Sequence, residues 1–215
     1  MKTTHSLKLY LVIASVALVL ALGGCATMAP KGVDSYVAPP LGSTFTYSQS
    51  STGSFGSGTS QVTQKVTEHM WEGKRMMAIV SPAGVNLFNA DGTIPAILGP
   101  NDAPLLSFDP PMGYDYPLVV EKTWTKSCQM TVGASKQTMP LDNTFKIEAY
   151  EEVTVPAGKF KTFKIIYSNS VGEEFISWLI PELGQSAKRV LKRTAKYPRG
   201  PGTREEELVS YTVPK

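Results

Sequence analysis

Histidine and cysteine are nearly absent from this 215-residue chain, two of each, and only His69 and Cys128 lie beyond residue 25. A multi-histidine metal site and a disulfide-stapled scaffold are therefore excluded, and a Ser-His or Cys-His arrangement would have to use that one imidazole. Charge is sparse as well: 18% of residues, against about 25% in an average globular protein. It is also nearly balanced, Lys+Arg 21 against Asp+Glu 18, so a nucleic-acid footprint is lacking. No stretch keeps a helical apolar period long enough for a major helix, and Gly53, Gly56 and Gly58 open no helix that could cradle a phosphate. Paired carboxylates occur at Glu151-Glu152, Glu173-Glu174 and Glu205 to Glu207. Neighbours on a strand point to opposite faces, which separates such pairs. Asp109 and Asp115 match no calcium-loop spacing. The chain is expected to be non-enzymatic, with no cofactor and no metal.

What is present begins with an export signal. Lys2 and Lys8 lead into an apolar run, Leu9 to Leu22, broken only by Ser15 and shorter than the ~20 residues that span a bilayer. The run ends in Leu22-Gly23-Gly24-Cys25, which resembles the lipobox of bacterial lipoproteins. The resemblance implies removal of residues 1–24, diacylglycerol on the Cys25 sulfur and acylation of the new amine. Ala26 follows, where Asp favours retention at the inner membrane, so the resemblance implies the periplasmic side of the outer membrane. Without Lys2 and Lys8, 19 basic side chains face 18 acidic ones. Cys128 is then the only free thiol, read as a buried or half-buried strand position or as one open to an intermolecular bridge.

Residues 25–43, with Pro30, Pro39 and Pro40, read as a tether that extended could reach roughly 60 Å. Residues 44–215 read as one β-rich periplasmic domain. Phe45 and Tyr47 begin a first strand, and the Ser/Gly/Thr-rich stretch Ser48 to Ser60 reads as a mobile hairpin loop. From Gln61 a meander follows, with turns at Glu72-Gly73-Lys74, Pro82-Ala83-Gly84 and Asn89 to Gly92. Ile94 to Leu118 holds six prolines and reads as an irregular crossing loop. It carries Leu105, Leu106, Phe108, Met112, Tyr114 and Tyr116, which need a surface to cover: either an open edge of the sheet or a ligand cavity. In the second half, Phe145, Ile147, Ala149, Val153 and Val155 keep one parity, which places them on one apolar face. Phe163, Ile165 and Tyr167 continue the alternation. The expected fold is all-β, mainly antiparallel: a curled open sheet or incomplete barrel of about ten strands with at most short helical turns.

Tyr116-Pro117-Leu118 before Trp124, the run Val153 to Phe160 leading into Phe163-Lys164-Ile165, Trp178 to Gly184, and Glu207 to Tyr211 together resemble a group of uncharacterised periplasmic proteins. Their fold is similar to the incomplete antiparallel barrel of the outer-membrane lipoprotein carrier. The resemblance implies a hydrophobic cavity; it transfers no site residue by residue.

An unclosed curl has a concave apolar face that its own side chains or a ligand must fill. Leu105, Phe108, Met112, Tyr114, Tyr116, Trp124 and Trp178 are the candidate pocket residues for a hydrophobic, lipid-type ligand. Lys188, Arg189, Lys192 and Arg193 form either cross-strand charge pairs in the last hairpin or a patch for an anionic envelope partner. The expected partners are thus the membrane, through the lipid on Cys25, and a hydrophobic ligand. The alternative is an assembly or scaffold module that docks an envelope protein or anionic polymer.

Overall fold

An extended chain with alternating side chains has one wet and one dry face, and the dry face must be buried. This chain buries it by closing on itself. A computed structural model of the protein describes residues 32–214; the export signal, Cys25 and the start of the tether lie outside the described residues. Twelve strands follow one another: β1 (Thr44–Gly53), β2 (Gly58–Trp71), β3 (Lys74–Ser81), β4 (Gly84–Phe88), β5 (Ile94–Leu98), β6 (Pro104–Met112), β7 (Thr123–Val132), β8 (Gln137–Val155), β9 (Gly158–Asn169), β10 (Glu173–Ile180), β11 (Gln185–Arg193) and β12 (Gly202–Thr212). Each pairs with its sequence neighbours, and β1 closes the ring on β12. The seam runs antiparallel through ten pairs, from Thr44↔Thr212 to Gly53↔Gly202. The expected open sheet of about ten strands, and the incomplete barrel implied by resemblance, are corrected to a closed twelve-stranded barrel. There is no helix among the described residues.

Two stretches expected to be irregular supply the difference. Ser48 to Ser60 is not a mobile loop: pairs from Ser48↔Gln61 to Ser51↔Gly58 zip β1 to β2 and leave only a short turn between them. Ile94 to Leu118 contains β5 and β6, so it is wall rather than flap, and only residues 113–122 remain a connection. Of the four prolines in these two strands, only Pro104, the first residue of β6, takes a paired position, opposite Leu98. Pro95 lies where the β5–β6 register breaks, between Ile94 and Ala96, and Pro110 and Pro111 follow the last β6–β7 pair, Asp109↔Gln129. At such positions a missing N–H costs no ladder bond.

A closed meander sorts its connections onto two rims. The chain enters β1 at the lower rim, which also carries the β2–β3, β4–β5, β6–β7, β8–β9 and β10–β11 connections. This rim is closed from within the chain itself. A bulge between Ile147 and Ala149 sets Ala149 opposite Lys164, so the single apolar parity expected through Val155 is broken there. Beyond it the β8–β9 arm packs Val153, Val155 and Phe160 against Phe45, Val66 and Leu208. The Ala157 N–H donates to the Leu208 carbonyl at 3.0 Å, beside the irregularity in the β1–β12 seam at Thr46/Tyr47.

The expected tether is also partly structured. Val33 and Leu118 exchange backbone hydrogen bonds of 3.0 and 2.8 Å, and Gly42 and Ser43 bond to Val66. Residues 32–43 therefore form a strap across the lower rim. At the upper rim, Phe55 of the β1–β2 turn has the Arg193 and Arg204 guanidinium groups at 3.9 and 4.8 Å from its ring centre.

The outward face is polar. Thr44–Thr212, Thr46–Thr63 and Thr131–Thr138 bond across neighbouring strands, and Lys188–Glu207 and Lys146–Glu121 are ion pairs at 2.8 and 3.3 Å. Apolar residues interrupt this face in two patches. Ile166, Ile176 and Val190 lie side by side on β9, β10 and β11. The other is a small external core of Ala78, Val85, Leu87, Ala96 and Leu98, flanked by Trp71. It lies on the opposite parity from inward-facing Ile79 and Phe88.

Phe45 is fully buried at the seam and stacks on Tyr211, with ring centres 6.2 Å apart. We predict that Phe45→Ala lowers stability by about 3–5 kcal/mol, measured as a reduced urea midpoint with an unchanged denaturant slope.

Candidate functional site

A closed ring of twelve strands encloses more space than the about eight strands whose interiors side chains alone can fill. The interior is accordingly packed as separate clusters, one beneath the seam around Phe45 and Tyr47, one around Phe145 and Phe163, and one around Phe108 and Leu141. A cavity of about 240 Å³ remains, walled by Tyr36, Phe88, Tyr114, Phe145 and Phe175, with Arg189, Ser177 and Ser186 among its polar lining. That volume is just below the ~300–1,000 Å³ of ordinary ligand pockets.

Three elements form its lower end. The strap inserts Tyr36, whose ring lies against Gly92 and Gly184 and stacks on Phe88 at 6.5 Å. A Cβ at Gly92 would meet the Tyr36 ring, and one at Gly184 would meet the Val37 carbonyl oxygen. Both glycines have positive φ, so they suit the turns as well as the close approach. The 113–122 connection contributes Tyr114 and Tyr116, and the β10–β11 turn brings Gly184 and Gln185. Tyr36 Oη is buried without a partner.

The polar wall comes from strand register. Ser177, Arg189 and Glu206 stand opposite one another on β10, β11 and β12, all facing inward. Arg189 Nη2 lies 2.6 Å from Glu206 Oε2, and Gln49 Nε2 donates to Glu206 Oε1 at 2.6 Å. Tyr47 Oη donates to the Ser186 carbonyl at 2.9 Å, and the Ser177 and Ser186 hydroxyls bond at 2.7 Å. The Arg189 side chain keeps 29% of its surface accessible while Glu206 keeps 5%; the guanidinium faces the cavity and the carboxylate lies behind it. Burial, the largest influence, would lower the Arg189 pKa, but the Glu206 carboxylate together with the Tyr47 and Tyr114 phenols offsets that, so it is raised. Arg189 Nε has no hydrogen-bond partner.

The expected pocket residues divide three ways. Met112, Tyr114 and Tyr116 line the cavity. Phe108 is buried in the Leu141 cluster, and Trp124 stacks at 4.9 Å on Phe145 of the cavity wall; both lie inside the barrel but outside the cavity's lining. Leu105 is exposed. Trp178 is on the outer face between Lys164 and Lys188, its Nε1 donating to Glu151 at 2.7 Å. The four basic candidates do not share a face. Arg189 points inward; Lys188 pairs with Glu207; Arg193 is held by Glu173 at 3.6 Å and by the Ser54 carbonyl. Lys192 stands opposite Thr203. Cys128 is buried and accepts from Asn143 at 3.7 Å, with burial pushing its thiol pKa up. His69 lies on the opposite wall face from Val66 and reaches Asp102 at 3.9 Å, so it is not directed toward Cys128. Sequence reading missed Tyr36, Phe88, Phe145 and Phe175 as wall residues. Of these, only Phe145 carried a signal, its place in an alternating strand.

No protein-family model matches the chain, and no curated protein matches it. Solved structures do. A candidate lipoprotein of Parabacteroides distasonis ATCC 8503 is 10% identical over 84% of this chain and 99% of that one, with a TM-score of 0.42. A candidate exported protein with a YmcC-like fold from Bacteroides fragilis NCTC 9343 is 12% identical over 83% and 99%, at 0.44. The hypothetical lipoprotein YmcC of Escherichia coli K12 is 11% identical over 80% and 85%, at 0.34. With TM-scores below 0.5, none of the three transfers an activity or a site residue to this chain.

Burial holds the phenols of Tyr36, Tyr114, Tyr116 and Tyr167 above the usual tyrosine range and pushes Tyr47 from 10.0 up to about 12. A raised folded-state pKa contributes stability that is intact below the unfolded value and is lost as pH rises through the folded one. The urea midpoint is therefore expected to hold up to the ordinary phenol pKa of 10.0 and to fall steeply toward pH 12. Tyrosinate absorbance should rise together with unfolding rather than before it.

Proposed function

We propose that this protein is a non-enzymatic periplasmic lipoprotein, anchored to the outer membrane by lipid on Cys25, whose barrel binds a small hydrophobic molecule. The observation that carries the reading is the cavity of about 240 Å³, aromatic on most sides and polar at Arg189. Native interiors are packed to crystal-like density, and a hollow lined by six aromatic rings departs from that in the way binding sites do. The covalent lipid is the only prosthetic group in this reading.

Anchoring also orients the site. Gly32 is seven residues beyond Cys25, so an anchored Cys25 holds the start of the strap within at most about 25 Å of the bilayer. The lower rim, where the strap lies across the cavity, is then the rim nearest the membrane. Docking on an anionic envelope partner has less support, because the positive charges of Lys188, Arg189 and Arg193 are each met by a carboxylate of the same barrel.

The test is native mass spectrometry of the Cys25→Ser chain, purified without detergent. A copurifying small amphiphile, displaced by a fluorescent medium-chain acyl probe, is the expected result. A ligand-free mass together with no probe binding would overturn the reading.

A further inference from the structure

We infer that the cavity selects a neutral ligand, an apolar body carrying one hydrogen-bond-accepting oxygen of the ester or ketone class, and rejects free carboxylates. The inference rests on the reading of the barrel as a ligand-binding module and names the chemical class that the module takes.

Among the described residues Arg189 is the only ionised one lining the cavity, and its charge is already met by Glu206 Oε2 at 2.6 Å. Glu206 is itself buried and fixed by Gln49 at 2.6 Å, so it has no route to solvent when an anion arrives. A bound carboxylate would share one guanidinium with Glu206 and leave one negative charge unmatched inside the barrel, which is costly. A cationic ligand meets the cavity-facing guanidinium before it meets the carboxylate behind it. Both ionised classes are disfavoured by the same pair.

The donors are the second observation. Tyr36 Oη and Arg189 Nε are buried without partners, and both residues line the same cavity. Buried polar groups in folded proteins are nearly always satisfied, so each orphan calls for an acceptor. A carbonyl or ester oxygen accepts without bringing charge, and the remaining walls, Phe88, Phe145, Phe175 and Leu179 among them, suit an alkyl or aryl body. Tyr36 enters from the strap and Arg189 from β11, so a single acceptor between them would also tie the strap to the barrel.

Saturation-transfer NMR titrations of the Cys25→Ser chain at neutral pH with methyl octanoate, octanoate and octylamine test this. Methyl octanoate is expected to bind at least about tenfold more tightly than either ionised molecule, a difference of about 1.4 kcal/mol. Tyr36→Phe keeps the ring and removes one donor; Arg189→Lys keeps the charge opposite Glu206 and removes the Nε donor. Each is expected to weaken the ester several-fold while leaving the circular dichroism spectrum unchanged. Equal or tighter binding of octanoate or octylamine would overturn the selectivity while leaving the ligand-binding reading intact. An ester affinity unmoved by both substitutions would overturn the donor assignment. Binding of none of the three molecules would overturn the inference and the underlying reading together.

Discussion

The structure depends on the hydrogen-bonded seam between its first and last strands. An open sheet of this length would present two rows of unpaired backbone groups, each a template for another chain. Pairing β1 with β12 from Thr44↔Thr212 to Gly53↔Gly202 removes both edges at once. It also converts a curved surface into an inside and an outside. The seam is long-range, joining residues more than 140 positions apart, so its loop-closure entropy is large and must be offset by what the ring encloses. The fully buried Phe45, Tyr47 and Leu208 lie on or beside that seam, so closure and core formation are one event.

Closing the ring creates the volume that the rest of the chain must manage. The bulge after Ile147 turns the β8–β9 arm under the barrel, and the strap covers what the arm leaves open. Neither device resembles a flap over an exposed edge. Both fill from the lower rim, and both are fixed by backbone hydrogen bonds: Ala157 to Leu208, and Val33 with Leu118. The upper rim is managed differently, by stacking Arg193 and Arg204 on Phe55. That contact needs a desolvated guanidinium beside a ring rather than a chain crossing the opening.

Much of this was legible in the sequence, and the parts that were not share a cause. Alternation in β8 through Ile147 and in β9 from Phe163 to Tyr167 gave those strands directly, because each has one dry face. It misled after Ile147, since a bulge adds a residue without a compositional mark and reverses the parity of everything beyond it. The Ser/Thr stretches of β1 and β2 carry little apolar signal because they lie where the strands run toward the upper rim, and their pairing is decided by a partner elsewhere in the chain. Proline in β5 and β6 argued against strand, correctly for a central ladder position; the register breaks that accommodate it are tertiary features. Met112, Tyr114 and Tyr116 line the cavity, in keeping with the expectation that apolar and aromatic side chains in a proline-rich stretch need a surface to cover. Tyr36 followed the same logic but sat in a segment read as tether. Arg189 is one of the basic residues for which cross-strand pairing in the last hairpin is expected, and it does pair with Glu206; which face of the sheet that pair occupies is a matter of strand parity that the sequence leaves ambiguous.

That ambiguity bears on why an ion pair sits inside the barrel at all. A buried pair is weak evidence for stability, since the desolvation of both ions offsets most of their attraction, and an apolar replacement of similar volume is often as stable. Here the pair does fix geometry. Arg189 sits 5.3 Å over the Tyr47 ring, Glu206 is gripped by Gln49 of β1, and Tyr47 of the same strand bonds to Ser186 of β11. One charged contact thus sets β1, β11 and β12 in register at the seam while turning its guanidinium toward the empty space. An apolar substitute could fill that space and hold the strands together, but it would erase both the register signal and the one ionised group among the described residues of the cavity wall. The polar core of the seam and the polar wall of the cavity share residues, so the closure that makes the barrel also sets the chemistry of its interior.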